Sequence, residues 1–332
     1  MEYPLPIRIF QFINNRFTRP VLAVGLASSI VLLVLFAATG SLYPSVEIQG
    51  YENPLSATGQ FLVFSLVSGY LLACMTAQVG ASQGVVDSLA PILPVEHHSM
   101  LERMDKVGSW YLGVLAGLGM AIVVSIPWSF LNFTPGNPLF VFSIMLVFGQ
   151  VVMWSIIGFI LAVAENNAIL LNRLGKLVKV DLFNLETLNP FGQAGLRAML
   201  MVVGALAITS LQSIDQEFRW DNYRNPILVG VPAILMLMLV PIWSIHKRIH
   251  AEKQQELRRL DTEIAATPRS LDDQSLTRLN ALLKRREHVA HLRNWPMDFS
   301  LVTRVVFYVL IPPLAWAGAA LVELGLDSYL AG

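Results

Sequence analysis

Apolar residues in this chain do not alternate with polar ones. They gather in seven stretches nearly free of ionisable side chains: Val21 to Gly40, Thr58 to Gln78, Ser109 to Leu131, Pro138 to Ala164, Leu196 to Gln212, Pro226 to Ser244, and Val302 to Val322. Such lengths match the roughly 20 residues a helix needs to cross about 30 Å of hydrocarbon, and a helix satisfies its own backbone groups there. Barrel strands would be shorter and would alternate. The pattern predicts an all-α integral membrane protein built as a bundle of seven transmembrane helices.

Outside those stretches the pattern changes twice. Ahead of the first, Ile9, Phe10, Ile13 and Phe17 share one helical face, with Arg8, Asn14, Asn15 and Arg16 elsewhere, which predicts a short interfacial helix. After the sixth, Ile245, Ile249, Leu257, Leu260 and Ile264 recur at helical spacing with charges between them. Pro268 stops that helix. Ser270 followed by Asp273 resembles a capping box, starting a second helix with Leu276, Leu279, Leu283 and Leu292. Two helices joined by a short turn predict an antiparallel hairpin. The chain divides into an interfacial helix (1–19), a six-helix transmembrane region (20–244), a helical hairpin (245–294), and a seventh transmembrane helix with its tail (295–332).

Composition agrees: of 332 residues, 55% are hydrophobic and 14% charged, against about a quarter charged in soluble domains. The one cysteine, Cys74, excludes an intrachain disulfide. Net charge is zero, but its distribution is informative. With the amino terminus in the cytoplasm, Arg8, Arg16, Arg19, Arg103, Lys106, Arg173, Lys176, Lys179, Arg197 and every basic residue from Lys247 to Arg304 lie inside. Only Arg219 and Arg224 remain outside. The positive-inside rule therefore predicts the amino terminus and hairpin in the cytoplasm and the carboxyl terminus outside.

Several constellations are chemical candidates. In the seventh stretch Pro312 and Pro313 follow Tyr308 and precede Trp316; tandem prolines free carbonyls at membrane depth, as in a hinge or pore. Gln150, within the fourth stretch, is a further pore candidate. Glu165, Asn166 and Asn167 at its inner end line a vestibule or mark the helix's emergence into water. Folding the hairpin about residue 269 brings His246 and His250 level with His288 and His291, a metal or pH-sensing cluster or, with the neighbouring Lys247, Arg248, Arg285 and Arg286, a girdle facing anionic headgroups. His98, Glu102 and Asp105 could share a helical face as a weaker metal site. Gly113 and Gly117 predict close helix packing, and Pro190 predicts a helix start after an elbow over 180–197.

Absences narrow the function. No span carries a carboxylate, lysine or arginine near its centre, which disfavours ion-driven exchange. Walker A, HExxH, GxSxG and dinucleotide-turn motifs are missing, and an enzyme ranks third for want of paired catalytic groups. The topology is similar to that of the insect odorant and gustatory receptor channels, which build their pore around the seventh helix; none of their carboxyl-terminal motif residues occurs here. Two functions are expected: a channel or facilitative transporter with a proline-kinked seventh helix, or a non-enzymatic scaffold or sensory subunit whose hairpin docks a partner. Expected partners are the lipid bilayer with anionic lipids at its inner face, a second copy of the chain, and a cytoplasmic protein at the hairpin, with no nucleic acid and no cofactor. The expected location is a bacterial inner membrane.

Overall fold

The computed structural model describes residues 5–43, 54–106, 110–123, 133–213, 220–267, 273–292 and 295, together with Thr303, Phe307, Leu310, Ile311, Leu314 and Gly318. Among these residues there is no strand. The helices are α1 (Leu5–Arg16), α2 (Pro20–Ala38), α3 (Pro54–Leu89), α4 (His98–Leu101), α5 (Trp110–Val123), α6 (Phe140–Gly175), α7 (Asn189–Ile208), α8 (Trp220–Ala266) and α9 (Asp273–His291). Short 3-10 turns at Ala90–Ile92, Val95–His97, Leu185–Leu188 and Thr209–Ser213 adjoin them. Among the described residues five segments are long and apolar enough to cross a membrane: Pro20–Ala38, Thr58–Ile92, Phe140–Gly175, Leu185–Gln212 and Arg224–Ala266. The described part of the third predicted span is an apolar helix, Trp110–Val123. Of the seventh, six scattered positions from Thr303 to Gly318 are helical; Tyr308, Pro312, Pro313 and Trp316 lie outside the described residues, as do Pro268 and Ser270.

Helices outrun their apolar stretches. α3 and α6 have 36 residues each and α8 has 47, or about 54 Å and about 70 Å at 1.5 Å per residue. Only about 30 Å of that is needed for hydrocarbon. The excess builds a second apolar core beside the first. One core joins Phe61, Phe64, Val67 and Met75 of α3 to Phe142, Leu146 and Trp154 of α6. The other joins Leu89, Leu101, Met104, Leu174, Leu188, Phe191, Met199, Ile245 and Ile249. α8 passes unbroken through both, so the expected boundary between 244 and 245 falls inside one helix.

Small residues set the closest approaches. A methyl group on Gly117 or Gly113 of α5 would collide with the Trp154 or Gly158 carbonyl of α6, and one on Gly158 would collide with the Gly113 carbonyl. The predicted Gly113/Gly117 face therefore meets α6. Gly25 and Ser29 of α2 meet Ala73 and Gly69 of α3 in the same way. This is the packing available in hydrocarbon, where dispersion replaces the hydrophobic drive. Hydroxyls inside the helices bond backward to their own backbone, Ser65 to the Phe61 carbonyl at 2.9 Å and Thr76 to the Leu72 carbonyl at 2.7 Å. Tyr70 donates to the Leu200 carbonyl at 2.9 Å and ties α3 to α7.

α1 departs from its expected face. Ile7 and Phe10 are buried, while Ile9 and Phe17 are exposed. Asn14 Nδ2, on the buried side, donates to the Thr76 carbonyl at 3.0 Å, so a polar anchor to α3 turns the helix away from the purely apolar alignment.

α8 also explains much of the charge after residue 245. Arg248 Nη1 donates to the Lys176 carbonyl just past the end of α6 at 2.8 Å, and Lys253 Nζ to the Leu292 carbonyl just past α9 at 2.7 Å. Two cations of one helix thus answer the negative ends of two others. Arg285 pairs with Glu256 at 2.8 Å and Arg286 with Asp261 at 2.5 Å, joining α9 to α8 on their exposed sides. Such exposed pairs contribute little, whereas Lys253 is buried. Lys253→Met keeps the apolar stem and loses the bond to Leu292. It is expected to weaken α9 docking by about 2 kcal/mol, read as faster amide hydrogen exchange across α9 with α3 and α6 unchanged.

Candidate functional site

The loop that leaves α3 holds the only acidic side chain buried among the described residues. Leu89 is followed by two 3-10 turns and α4, which ends at Leu101. Turn residues then lead to Asp105, whose φ of 60° is left-handed, a conformation Asp accepts more readily than most residues through its short polar side chain. That reversal sends the carboxylate inward: Asp105 is 2% exposed. Asn167 of α6 receives it twice. Its Nδ2 donates to Asp105 Oδ1 at 2.6 Å, and its Oδ1 accepts from the Asp105 backbone N–H at 3.0 Å.

Ser82 and Gln78 of α3 line the same cleft as Asp105, and Ser82 Oγ donates to the Val79 carbonyl of its own helix at 2.8 Å. Burial dominates and pushes the carboxyl above its ordinary value, with the neighbouring polar groups of Asn167, Ser82 and Gln78 opposing that rise. The group thus holds its proton more firmly than an exposed aspartate.

Asp105 and its partners form one wall of a cleft between α3, α6, α7 and α8. Ala81, Val85, Ala164, Ala168, Leu171 and Ala194 complete much of the lining, and Arg197 of α7, exposed, stands on its rim. Its cavity is about 50 Å³, room for one or two waters at about 30 Å³ each. Pro241 of α8 lines it too, together with Leu237 one turn earlier. Pro241 has no N–H, so the Leu237 carbonyl loses its helical donor. Gly195 packs against this opened turn: a methyl there would stand 3.2 Å from the Leu237 oxygen.

The sequence-predicted residues fall elsewhere or come apart. His98, Glu102 and Asp105 do not share a helical face, because α4 stops at Leu101 and the chain reverses at Asp105. His98 Nε2 lies 3.0 Å from the Ala90 carbonyl and 3.3 Å from that of Leu93, and Glu102 is exposed. His246 stacks on Trp295 at 4.1 Å between ring centroids, and His288 lies parallel to Phe183 at 6.0 Å. His250 and His291 are exposed. Among the described residues no three or more His, Cys, Asp or Glu side chains gather as a metal site. Gln150 is buried and accepts from Trp154 Nε1 at 3.1 Å, in the core rather than the cleft. Asn167 does line the cleft, one of the two possibilities its position raised. Gln78, Ser82, Arg197 and Pro241 were not foreseen in it; the polar positions ending the second stretch were the available signal.

Compared with family models, curated proteins and solved structures, the chain matches none of them.

Proposed function

We propose that the chain is a multi-pass membrane protein of seven spans that passes a small polar solute or ion without coupled energy input. In this reading the amino terminus and the α8–α9 hairpin are cytoplasmic in a bacterial inner membrane. The cleft beside Asp105 is the inner mouth, and the Pro312-Pro313 kink of the seventh helix is the hinge. The cleft carries the reading: a water-sized space with Asn167, Ser82, Gln78 and Asp105 on one wall, a rim cation, and a proline-opened turn facing it. Unpaired backbone at membrane depth is tolerated where it lines such a cavity.

The test is ion and small-solute flux into liposomes containing the purified chain, compared at acidic and neutral pH because burial raises the Asp105 carboxyl above its ordinary value. Flux is expected in the wild type, with lower flux for the Pro312→Ala/Pro313→Ala chain and altered charge selectivity for Arg197→Glu at the exposed rim. Silence from folded, inserted protein would sink this reading. It would favour the scaffold, which has its own observation: Leu276 and Leu283, two turns apart on α9, are both exposed, a face suited to a partner helix.

A further inference from the structure

α8 carries an exposed stripe that ends in charge. Leu228, Val231, Leu235, Leu239 and Trp243 follow one another at spacings of three or four, and each is exposed, Leu228 by 66% and Trp243 by 48%. Arg224 precedes the stripe by one turn and Lys247 follows it by one turn; both are exposed. The distance between those cations is about 34 Å along the helix at 1.5 Å per residue, close to the thickness of bilayer hydrocarbon, about 30 Å.

Lys247 differs from its neighbours. Arg248 and Lys253 turn inward to carbonyls beyond α6 and α9, and Arg285 and Arg286 meet Glu256 and Asp261. Among the described residues Lys247 meets no carboxylate. Its Nζ stands 5.3 Å from the centre of the Trp243 ring. Beside it, His246 stacks on half-exposed Trp295. Two tryptophans and an outward cation at the end of an apolar stripe have the make-up of an interfacial belt, where indole sits at headgroup level.

We propose that this face of α8 holds an anionic phospholipid, its acyl chain along Leu235, Leu239 and Trp243 and its phosphate on Lys247. The apolar stripe alone would accept any lipid; an outward lysine that meets no carboxylate among the described residues selects the anionic one. α8 must be a span for this, but solute passage is not required, so lipid retention and flux fail independently.

The experiment is native mass spectrometry of the full chain released from micelles containing equal phosphatidylglycerol and phosphatidylcholine. Wild type is expected to retain phosphatidylglycerol preferentially, and Lys247→Gln to lose that preference by about fivefold, the effect of one cation near an anionic surface. Lys179→Gln, another exposed lysine, is expected to leave it unchanged. Equal losses in both variants would mean a diffuse basic surface and overturn the proposal. So would undiminished preference in Lys247→Gln, or a dimer that forms on this face and excludes lipid. A thermal melt of Lys247→Gln matching the wild type shows that lost retention is not lost folding.

Discussion

Gly117→Val is expected to unfold the α5–α6 pair or cost at least about 3 kcal/mol of bundle stability. The reason is what the new side chain meets. At Gly117 the first carbon added collides with the Trp154 carbonyl and crowds the Ser155 Cα at 3.1 Å, and backbone cannot rotate away as a side chain can. α5 would have to withdraw from α6 along its length, opening the contacts Gly113 and Gly158 make through each other's backbone. In hydrocarbon no hydrophobic drive restores them, since lipid tails fill the gap as readily as protein. Gly119, on the same helix, has open space where its Cβ would be. Gly119→Val is expected to stay within about 0.5 kcal/mol of wild type. Thermal unfolding in micelles, followed by monodisperse elution after heating, separates the two. Equal behaviour of both variants would mean that α5 and α6 are not locked in this way.

Asp105 has the second large effect, and two substitutions divide it. Asp105→Ala removes the acceptor of Asn167 Nδ2 in a buried site and places alanine at a left-handed φ. A loss of about 3–4 kcal/mol is expected from the unmet hydrogen bond and the backbone together. Asp105→Asn keeps an acceptor and a residue that tolerates that backbone, but carries no charge. Because burial raises the folded-state carboxyl above its unfolded value, the folded chain holds the proton where the unfolded chain has released it. This group's favourable contribution is therefore complete below the unfolded value and lost as pH rises through the folded one. Wild type should gain stability relative to Asp105→Asn as pH falls through that window, and Asp105→Asn should be the more stable at neutral pH. Parallel stability–pH curves for the two chains would contradict the buried-carboxylate account.

The apolar runs revealed α2, α3, α6 and α8 as span-length helices because hydrocarbon sets a minimum length that composition displays directly. Pro190 marked the start of α7, at Asn189, because a missing N–H is tolerated there. Where the helices end was not legible. Beyond residue 78 in α3 or 164 in α6, polar residues enter the turns, and the composition reports the end of the apolar environment rather than the end of the helix. The Asp105–Asn167 pair joins positions 62 apart, and its carboxylate comes from a loop. A scan for charges at the centres of spans cannot find a group that a left-handed turn folds back into the bundle. The histidine expectation illustrates the converse: spacing aligned the four residues, but Trp295 and Phe183 stand beside two of the rings.

The single helix α8 also orders the making of the molecule. A ribosome delivers Leu89, Leu101, Leu174, Leu188 and Met199 long before Ile242, Ile245 and Ile249, with which they share a core. While the early helices enter the membrane, that core stands open on one side and the carbonyl beyond α6 awaits Arg248. Translation must pass residue 253 before the second core can close and the cation that anchors α9 exists. A chain cut short before this point would keep the second core open, so the synthesis of α8 separates a set of early helices from the closed molecule.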